Sequence, residues 1–323
     1  MKKWLAVLLA AVLIGSAGCG EEDPGNGGGA VRVMNYTFQA KPHELVFQDV
    51  PERVLVCGES GAETLAALSA GSRIAAVVLT DGSAEARIRE KLPQAEILRN
   101  GIAREYAVTL RPDFILGWRR FFDERQLGDT ADWSRQGIPA YIEEASGPIP
   151  AVEPFPPCTV DSEKAFITHM GQIFREEEKA GTYVRAIDEE LRKGEEEAKG
   201  KLPKVLVVEF MGKSIEVFGE DLLAGDIIRR LGGEVVSFPA PFVSREELIT
   251  ADADVIFVVY HGEAAAGEAM AEEIRRPLYE GIPAVKNGRV YLLPYRAVVA
   301  PGVNTTETIR YMRERMYQGM DPL

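Results

Sequence analysis

Arg53-Val54-Leu55-Val56-Cys57-Gly58-Glu59-Ser60-Gly61-Ala62 is the stretch that decides the fold. The run from Arg53 to Val56 reads as a strand buried on both faces, Gly58 to Gly61 turns the chain, and Ala62 to Ala70 has helical spacing that stops at Gly71. A strand that feeds directly into a helix is the building unit of α/β folds, and the unit recurs. Ile74 to Leu79, Phe114 to Gly117 and Ala140 to Ile142 read as further strands, the last after a helix expected from Glu124 to Gln136 despite Gly128 inside it. Short β runs separated by helical stretches favour a parallel sheet.

Working outward, Val31 to Val50 alternates loosely, as in Glu44-Leu45-Val46-Phe47, and is expected to form a short hairpin. Gly147 to Pro157 is rich in proline and reads as a loop. Asp161 is placed to cap a helix running to about Phe174. Glu176 to Lys199 reads as a second helix, dense in charge but keeping Val184, Ile187 and Leu191 on one stripe. At about 1.5 Å per residue the second helix would be about 36 Å long, and Pro203 ends it. The alternation then restarts, with strands at Val205 to Phe210, Val255 to Tyr260 and Val290 to Leu292. Helices are expected at Asp221 to Leu231, Arg245 to Thr250 and Glu307 to Met316. The predicted fold class is α/β: two α/β lobes with parallel-type sheets, 31–160 and 203–323, joined across 161–202 by one long connecting helix.

Composition narrows the function classes. Apolar residues make up 46% and charged residues 27% of the 323, an ordinary globular mix that excludes collagen-like, coiled-coil and wholly disordered chains. No run reaches the roughly 20 apolar residues of a spanning helix. The net charge of −13 has the wrong sign for a nucleic-acid partner and points to small molecules or proteins. Residues 1–18 read as a signal peptide: Lys2 and Lys3, apolar Trp4 to Ile14, then Ser16-Ala17-Gly18 before Cys19. Small residues ahead of a Cys resemble the lipobox of bacterial lipoproteins, with Ser16 where Leu is usual. The resemblance implies lipidation of Cys19 and an extracytoplasmic protein lipid-anchored to the bacterial cell membrane. Residues 19–30, rich in Gly and acids, read as a flexible tether. Cys57 and Cys158 then lie where a disulfide is permitted, but nothing in the sequence brings their Cβ atoms within bridging distance, and two free thiols are the preferred reading over a bridge.

Pro51-Glu52-Arg53-Val54, Arg111-Pro112-Asp113-Phe114-Ile115 with its counterpart Ala251-Asp252-Ala253-Asp254-Val255-Ile256, Gly137-Ile138-Pro139, and Ala284-Val285-Lys286-Asn287-Gly288-Arg289-Val290-Tyr291 occur in that order. Together they resemble the periplasmic binding proteins of ABC importers for ferric siderophores, haem and cobalamin. The resemblance runs from Pro51 to the C-terminus and includes the long helix. It implies the class III architecture, with a ligand held between the lobes and little hinge motion. It also implies binding without catalysis, no resident cofactor, a monomer, and a permease dimer with its ATPase as partner. Each lobe would present one exposed glutamate on the cleft rim toward permease arginines. Glu105 stands eight residues before Asp113 and Glu246 eight before Asp254, so the two positions are equivalent, with Glu247 as the alternative to Glu246.

In open α/β sheets the ligand crevice lies beyond the carboxyl ends of the strands. That rule selects Glu59, Ser60 and the run Trp118-Arg119-Arg120-Phe121-Phe122 in the first lobe. In the second it selects Met211, Phe238, Phe242, Tyr260, His261, Tyr295 and Arg296. Aromatic faces with guanidinium forks suit a bulky, partly anionic small-molecule metal chelate. Arg119, directly after Trp118, is the preferred guanidinium, because Arg120 has Asp123 and Glu124 as surface partners. Phe121 and Phe122 are open to core and ligand roles alike. A ferric siderophore is the expected ligand, with haem and cobalamin as alternatives; Tyr260 or His261 would be the right type of axial haem ligand. His169, beside Ile167 and Met170, reads as structural and His43 as a surface residue. No His and Cys cluster has metal-site spacing, so no protein metal site is expected. The rival class is a secreted serine hydrolase, since Gly58-Glu59-Ser60-Gly61-Ala62 comes close to the G-x-S-x-G elbow. Ala62 breaks that motif, and the acid and base, Asp254 and His261, fall in the other lobe.

Overall fold

The computed structural model describes residues 29–99, 101–147, 156, 158–198, 200 and 202–318. Cys19, the signal peptide, all but the last two tether residues and most of the proline-rich loop lie outside the described residues.

Strands β1 (Val31–Tyr36) and β2 (Pro42–Phe47) form the expected hairpin, with Val31 opposite Phe47. Strands β3 (Val54–Cys57), β4 (Ile74–Val78), β5 (Glu96–Leu98), β6 (Phe114–Trp118) and β7 (Ala140–Glu143) build a fully parallel sheet in the order β5-β4-β3-β6-β7. All four residues of β3 are buried, which is why the deciding stretch is apolar without alternation. The chain winds outward from β3 in one direction and returns at β6 to wind in the other. The switch point, where crevices open, therefore lies between the ends of β3 and β6. Buried Asn35 of the hairpin exchanges two hydrogen bonds with the Ile142 backbone, at 2.9 and 2.8 Å, and so satisfies the outer edge of β7.

The second sheet holds β8 (Lys204–Met211), β9 (Ser214–Val217), β10 (Glu234–Val235), β11 (Phe242–Val243), β12 (Val255–Tyr260) and β13 (Val290–Pro294). Its order is β11-β9-β8-β12-β13, with β10 beside the start of β8. Here the expectation of a parallel-type sheet needs correction. β8, β10, β12 and β13 are parallel, but β9 folds back antiparallel on β8 and β11 runs antiparallel to β9. Met211 pairs with Ser214 across the two residues Gly212 and Lys213, a connection too short for anything but a hairpin.

The helix over Val160–Phe174 is capped by Thr159, which forms a reciprocal box with Ser162, and not by Asp161 as expected. The connecting helix spans Glu177–Ala198, 22 residues and about 33 Å. The helix expected from Glu124 to Gln136 shrinks to Thr130–Ser134, because Gly128 takes φ 73° and Asp129 starts a new cap on the Ala131 amide. Helices Glu85–Lys91, Arg104–Thr109 and Ala264–Ile274 had no clear sequence signal.

Val205 and Val207 of β8 point into the same continuous core as Val54–Cys57, Phe166, Met170 and Ile187, whereas Leu206 and Val208 build a separate core on the outer face of the second sheet. The lobes thus share one apolar interior through the connecting helices, which resists large hinge motion. The turn Gly302–Asn304 also returns to the first lobe, where the Val303 amide donates to Thr64 Oγ1 (3.2 Å) and Asn304 Nδ2 to Glu63 Oε2 (2.7 Å). No helix among the described residues is long and apolar enough to cross a membrane.

Candidate ligand-binding site

The carboxyl ends of the two parallel sets meet across a cleft. Asp81, just past β4, accepts the Gly262 amide from just past β12 at 2.8 Å, and the Trp118 and Tyr295 rings lie 6.2 Å apart across the same gap. Gly58 has φ 139°, and a Cβ there would fall 2.9 Å from Trp118 Nε1, so the tight turn after β3 makes room for the indole. The Arg120 guanidinium lies over the Trp118 and Phe121 rings at 5.4 and 5.2 Å. From the second lobe, His261 stacks on Tyr295 at 4.1 Å between centroids, and its Nε2 lies 3.1 Å from Glu209 Oε1. The Glu209 hydrogen bond raises the His261 pKa, outweighing its partial burial. Burial pulls the Asp81 carboxyl upward, but the Ser83 and Gly262 hydrogen bonds and nearby His261 outweigh it and hold the pKa low.

Trp118, Arg120, Tyr295 and His261 are therefore brought together. All but His261 border one or more of three cavities. One of about 560 Å³ opens beside Thr80, Arg99, Arg120, Phe121, Arg125 and Gln126 in the first lobe. A second of about 200 Å³ lies between the lobes, bounded by Trp118, Arg120, Cys158, Glu216, Phe218 and Tyr295. A third of about 200 Å³ touches Glu59, Asp81, Tyr260, Tyr295 and Arg296. Phe238 packs half-buried against the outer core of the second sheet. Phe242 sits on its edge strand, and neither borders these cavities. Phe121 and Phe122 are both buried in the core, although Phe121 also lines the first cavity.

Arg119, the preferred guanidinium, has no exposure and borders none of these cavities. Its Nε donates to Phe38 O (2.8 Å), its guanidinium donates to Gly147 O (2.7 Å) and lies over the Phe38 ring, and its amide donates to Ser146 Oγ (2.9 Å). This corrects the sequence expectation: Arg119 ties the hairpin to the end of β7, and Arg120 is the arginine that reaches the cavities. Arg119→Ala is expected to lower stability by about 3 kcal/mol by stranding buried carbonyls. A denaturation midpoint unchanged from wild type would contradict that role.

Ser60 is also buried. Its hydroxyl donates to Glu143 Oε2 and accepts from Trp118 Nε1, both at 3.3 Å. The chain's three histidines are engaged elsewhere, His43 with Ser134, His169 with Tyr141 and His261 with Glu209, so no imidazole serves Ser60 as a base. Glu59 braces the turn instead, accepting from the Thr80 amide (3.0 Å) and hydroxyl (2.6 Å). Cys57 and Cys158 are buried free thiols, not a bridge.

Asp81, Glu209 and Glu216 escaped the sequence reading. Asp81 directly follows a strand end and obeys the rule that chose the others. Glu209 is the lone acid inside the apolar run of β8, and Glu216 lies on β9, a strand that was not anticipated. Glu105 and Glu246 are both exposed in the first turns of equivalent helices, Arg104–Thr109 and Arg245–Leu248, each leading into β6 or β12. Glu247 is committed to the Ser244 amide and hydroxyl, at 2.8 Å each.

A family model described as periplasmic binding protein matches residues 54–297. A periplasmic binding protein from Veillonella parvula is similar at 25% identity, over 90% of this chain and 92% of its own, with a TM-score of 0.78. A siderophore binding protein bound to a complex between two molecules of acinetobactin and ferric iron shares 21% identity over 90% of this chain and 100% of its own, with a TM-score of 0.68. The periplasmic vitamin B12 binding protein of Vibrio cholerae shares 18% over 84% and 99%, with a TM-score of 0.64. These last two likenesses are of fold. No curated protein matches this chain.

Proposed function

This chain belongs to the periplasmic binding protein family, and from that premise we propose that it is the extracytoplasmic solute-binding lipoprotein of an ABC importer. In this reading it holds a ferric siderophore in the interlobe cleft and delivers it to the permease and its ATPase. The observation that carries the reading is Arg120. Its guanidinium lies on two aromatic faces where two cavities meet and makes no ion pair among the described residues. That is the arrangement a bulky anionic chelate needs, whereas a corrin's amide-rich rim offers the guanidinium mainly neutral acceptors. Haem is less well served, because a His261 axial ligand would have to leave both Glu209 and the Tyr295 ring. Thermal unfolding with a ferric catecholate, a ferric hydroxamate, haemin and cobalamin tests the choice. A ferric chelate at about 100 times its Kd should stabilise by about 2.7 kcal/mol. Stabilisation by haemin or cobalamin alone would overturn it.

In this reading residues 31–160 and 203–323 are the lobes and 161–202 the connector, and Cys19 carries the lipid. Cys19→Ala should shift the protein from the detergent phase to the aqueous phase. Equal partitioning would refute the anchor. Helices antiparallel to the strands begin at the cleft side of a sheet, so Glu105 and Glu246 occupy matching rim positions, suited to two permease subunits. Exposed rim charges act on association and orientation. The double change Glu105→Ala with Glu246→Ala should spare ligand affinity and melting temperature while cutting uptake, and normal uptake would refute the docking role.

A further inference from the structure

Around Arg120 the cleft is electrically two-sided. No described residue lining the large first-lobe cavity is acidic, and it carries three guanidiniums, Arg99, Arg120 and Arg125. Arg99 is anchored by Glu85 and Arg125 by Asp123, while Arg120 has no carboxylate among the described residues. Across the gap the second lobe offers Glu209 and Glu216. Glu209 is buried and answered by His261. Glu216, on β9, borders the interlobe cavity opposite Arg120 and has no hydrogen-bond or ion-pair partner among the described residues. Partial burial and the neighbouring Glu209 raise the pKa of its carboxyl, outweighing the opposite pull of nearby His261. A ligand that is anionic throughout would satisfy Arg120 and worsen the position of Glu216. A ligand with a protonated nitrogen opposite its anionic donors would answer both.

Resting on the reading of this cleft as a chelate site, we infer that the ligand is a dipolar ferric chelate. Its anionic iron-binding groups would sit against Arg120 in the first lobe, and a cationic nitrogen would sit against Glu216 of the second. Glu216 is then a specificity-determining residue, and Arg120 the general anchor.

Two probes that differ by one charge on each chelating ligand test this: the ferric complex of 2,3-dihydroxybenzoyl-lysine and the same complex with the side-chain amine acetylated. Wild-type protein should bind the ammonium form about tenfold more tightly or better, the scale expected of one partly desolvated charge pair. Glu216→Gln should abolish that ratio by weakening the ammonium form alone, whereas Arg120→Ala should weaken both probes alike. Equal binding of the two probes by wild type would overturn the inference while leaving the siderophore reading intact. A ratio that persists in Glu216→Gln would overturn the role of Glu216. Binding of haemin or cobalamin with neither catecholate bound would overturn the chelate reading itself and the inference with it.

Discussion

Arg120→Ala is expected to weaken binding of a ferric catecholate by about 2 to 4 kcal/mol, roughly 30-fold to 1000-fold, with no change in the denaturation midpoint. The size follows from removing the one guanidinium among the described residues that borders both the first-lobe and the interlobe cavity and makes no ion pair there. The unchanged midpoint follows from its exposure, since its stem fills no core. The neighbouring change is the control. Arg119→Ala should depress the midpoint, because Arg119 is a buried tie and not a ligand group. Calorimetric titration of both variants, with melts on the same samples, separates the roles. Wild-type affinity in Arg120→Ala would mean that the ligand is not held through an anionic group there.

Stability should fall as pH rises from about 4.5 to 8, opposite to the usual trend for paired carboxylates. The cause is the acids behind the cleft, Glu143, Glu144 and Glu163. Burial drives all three pKa values upward, Glu144 to about 8 and Glu163 to about 7. Between the ordinary carboxylate value and these raised values the folded chain holds protons that the unfolded chain has released. Each such group therefore contributes most below about pH 4.5 and loses its contribution as pH climbs through the folded pKa. For Glu163 the full swing is about 3 kcal/mol. Its Oε2 accepts from the Gly302 amide (2.6 Å) and Thr305 hydroxyl (3.3 Å), bonds that an amide oxygen can replace, while its Oε1 is buried without a partner among the described residues. Glu163→Gln should accordingly remove about 3 kcal/mol of the stability lost between pH 5 and 8 in urea denaturation. A pH dependence as steep as wild type would contradict this. Buried His169, whose pKa burial lowers, titrates on the acid side and limits the gain there.

The adjacent arginines also mark how far the sequence could be read. Val54 to Cys57 is uniformly apolar because β3 is the centre of a covered sheet, and that burial is legible in any window of the chain. The sheet edge is not. β9 and β11 are short and partly exposed, and their pairing depends on a two-residue turn, not on a hydrophobic run. Trp118 and Tyr295 could be chosen because ligands gather beyond strand ends. Which arginine turns inward could not, since Arg119 and Arg120 share one 3-10 turn, the first buried and the second exposed. What draws Arg119 inward is a pair of carbonyls 81 and 28 residues distant in the chain, on Phe38 and Gly147. Ser60 misled for a related reason: the turn after β3 does resemble a nucleophile elbow, but Trp118 and Glu143 occupy its hydroxyl.

Fluorescence titration of the signal-free chain with a ferric catecholate tests the central claim most directly. Two tryptophans remain after residues 1–18 are removed, Trp118 in the cleft wall and Trp133, which is fully buried and donates to Leu127 O. Saturable one-to-one quenching is expected, most of it lost in Trp118→Phe while Trp133→Phe keeps it. Saturable quenching by haemin or cobalamin with no response to any ferric chelate would contradict the account.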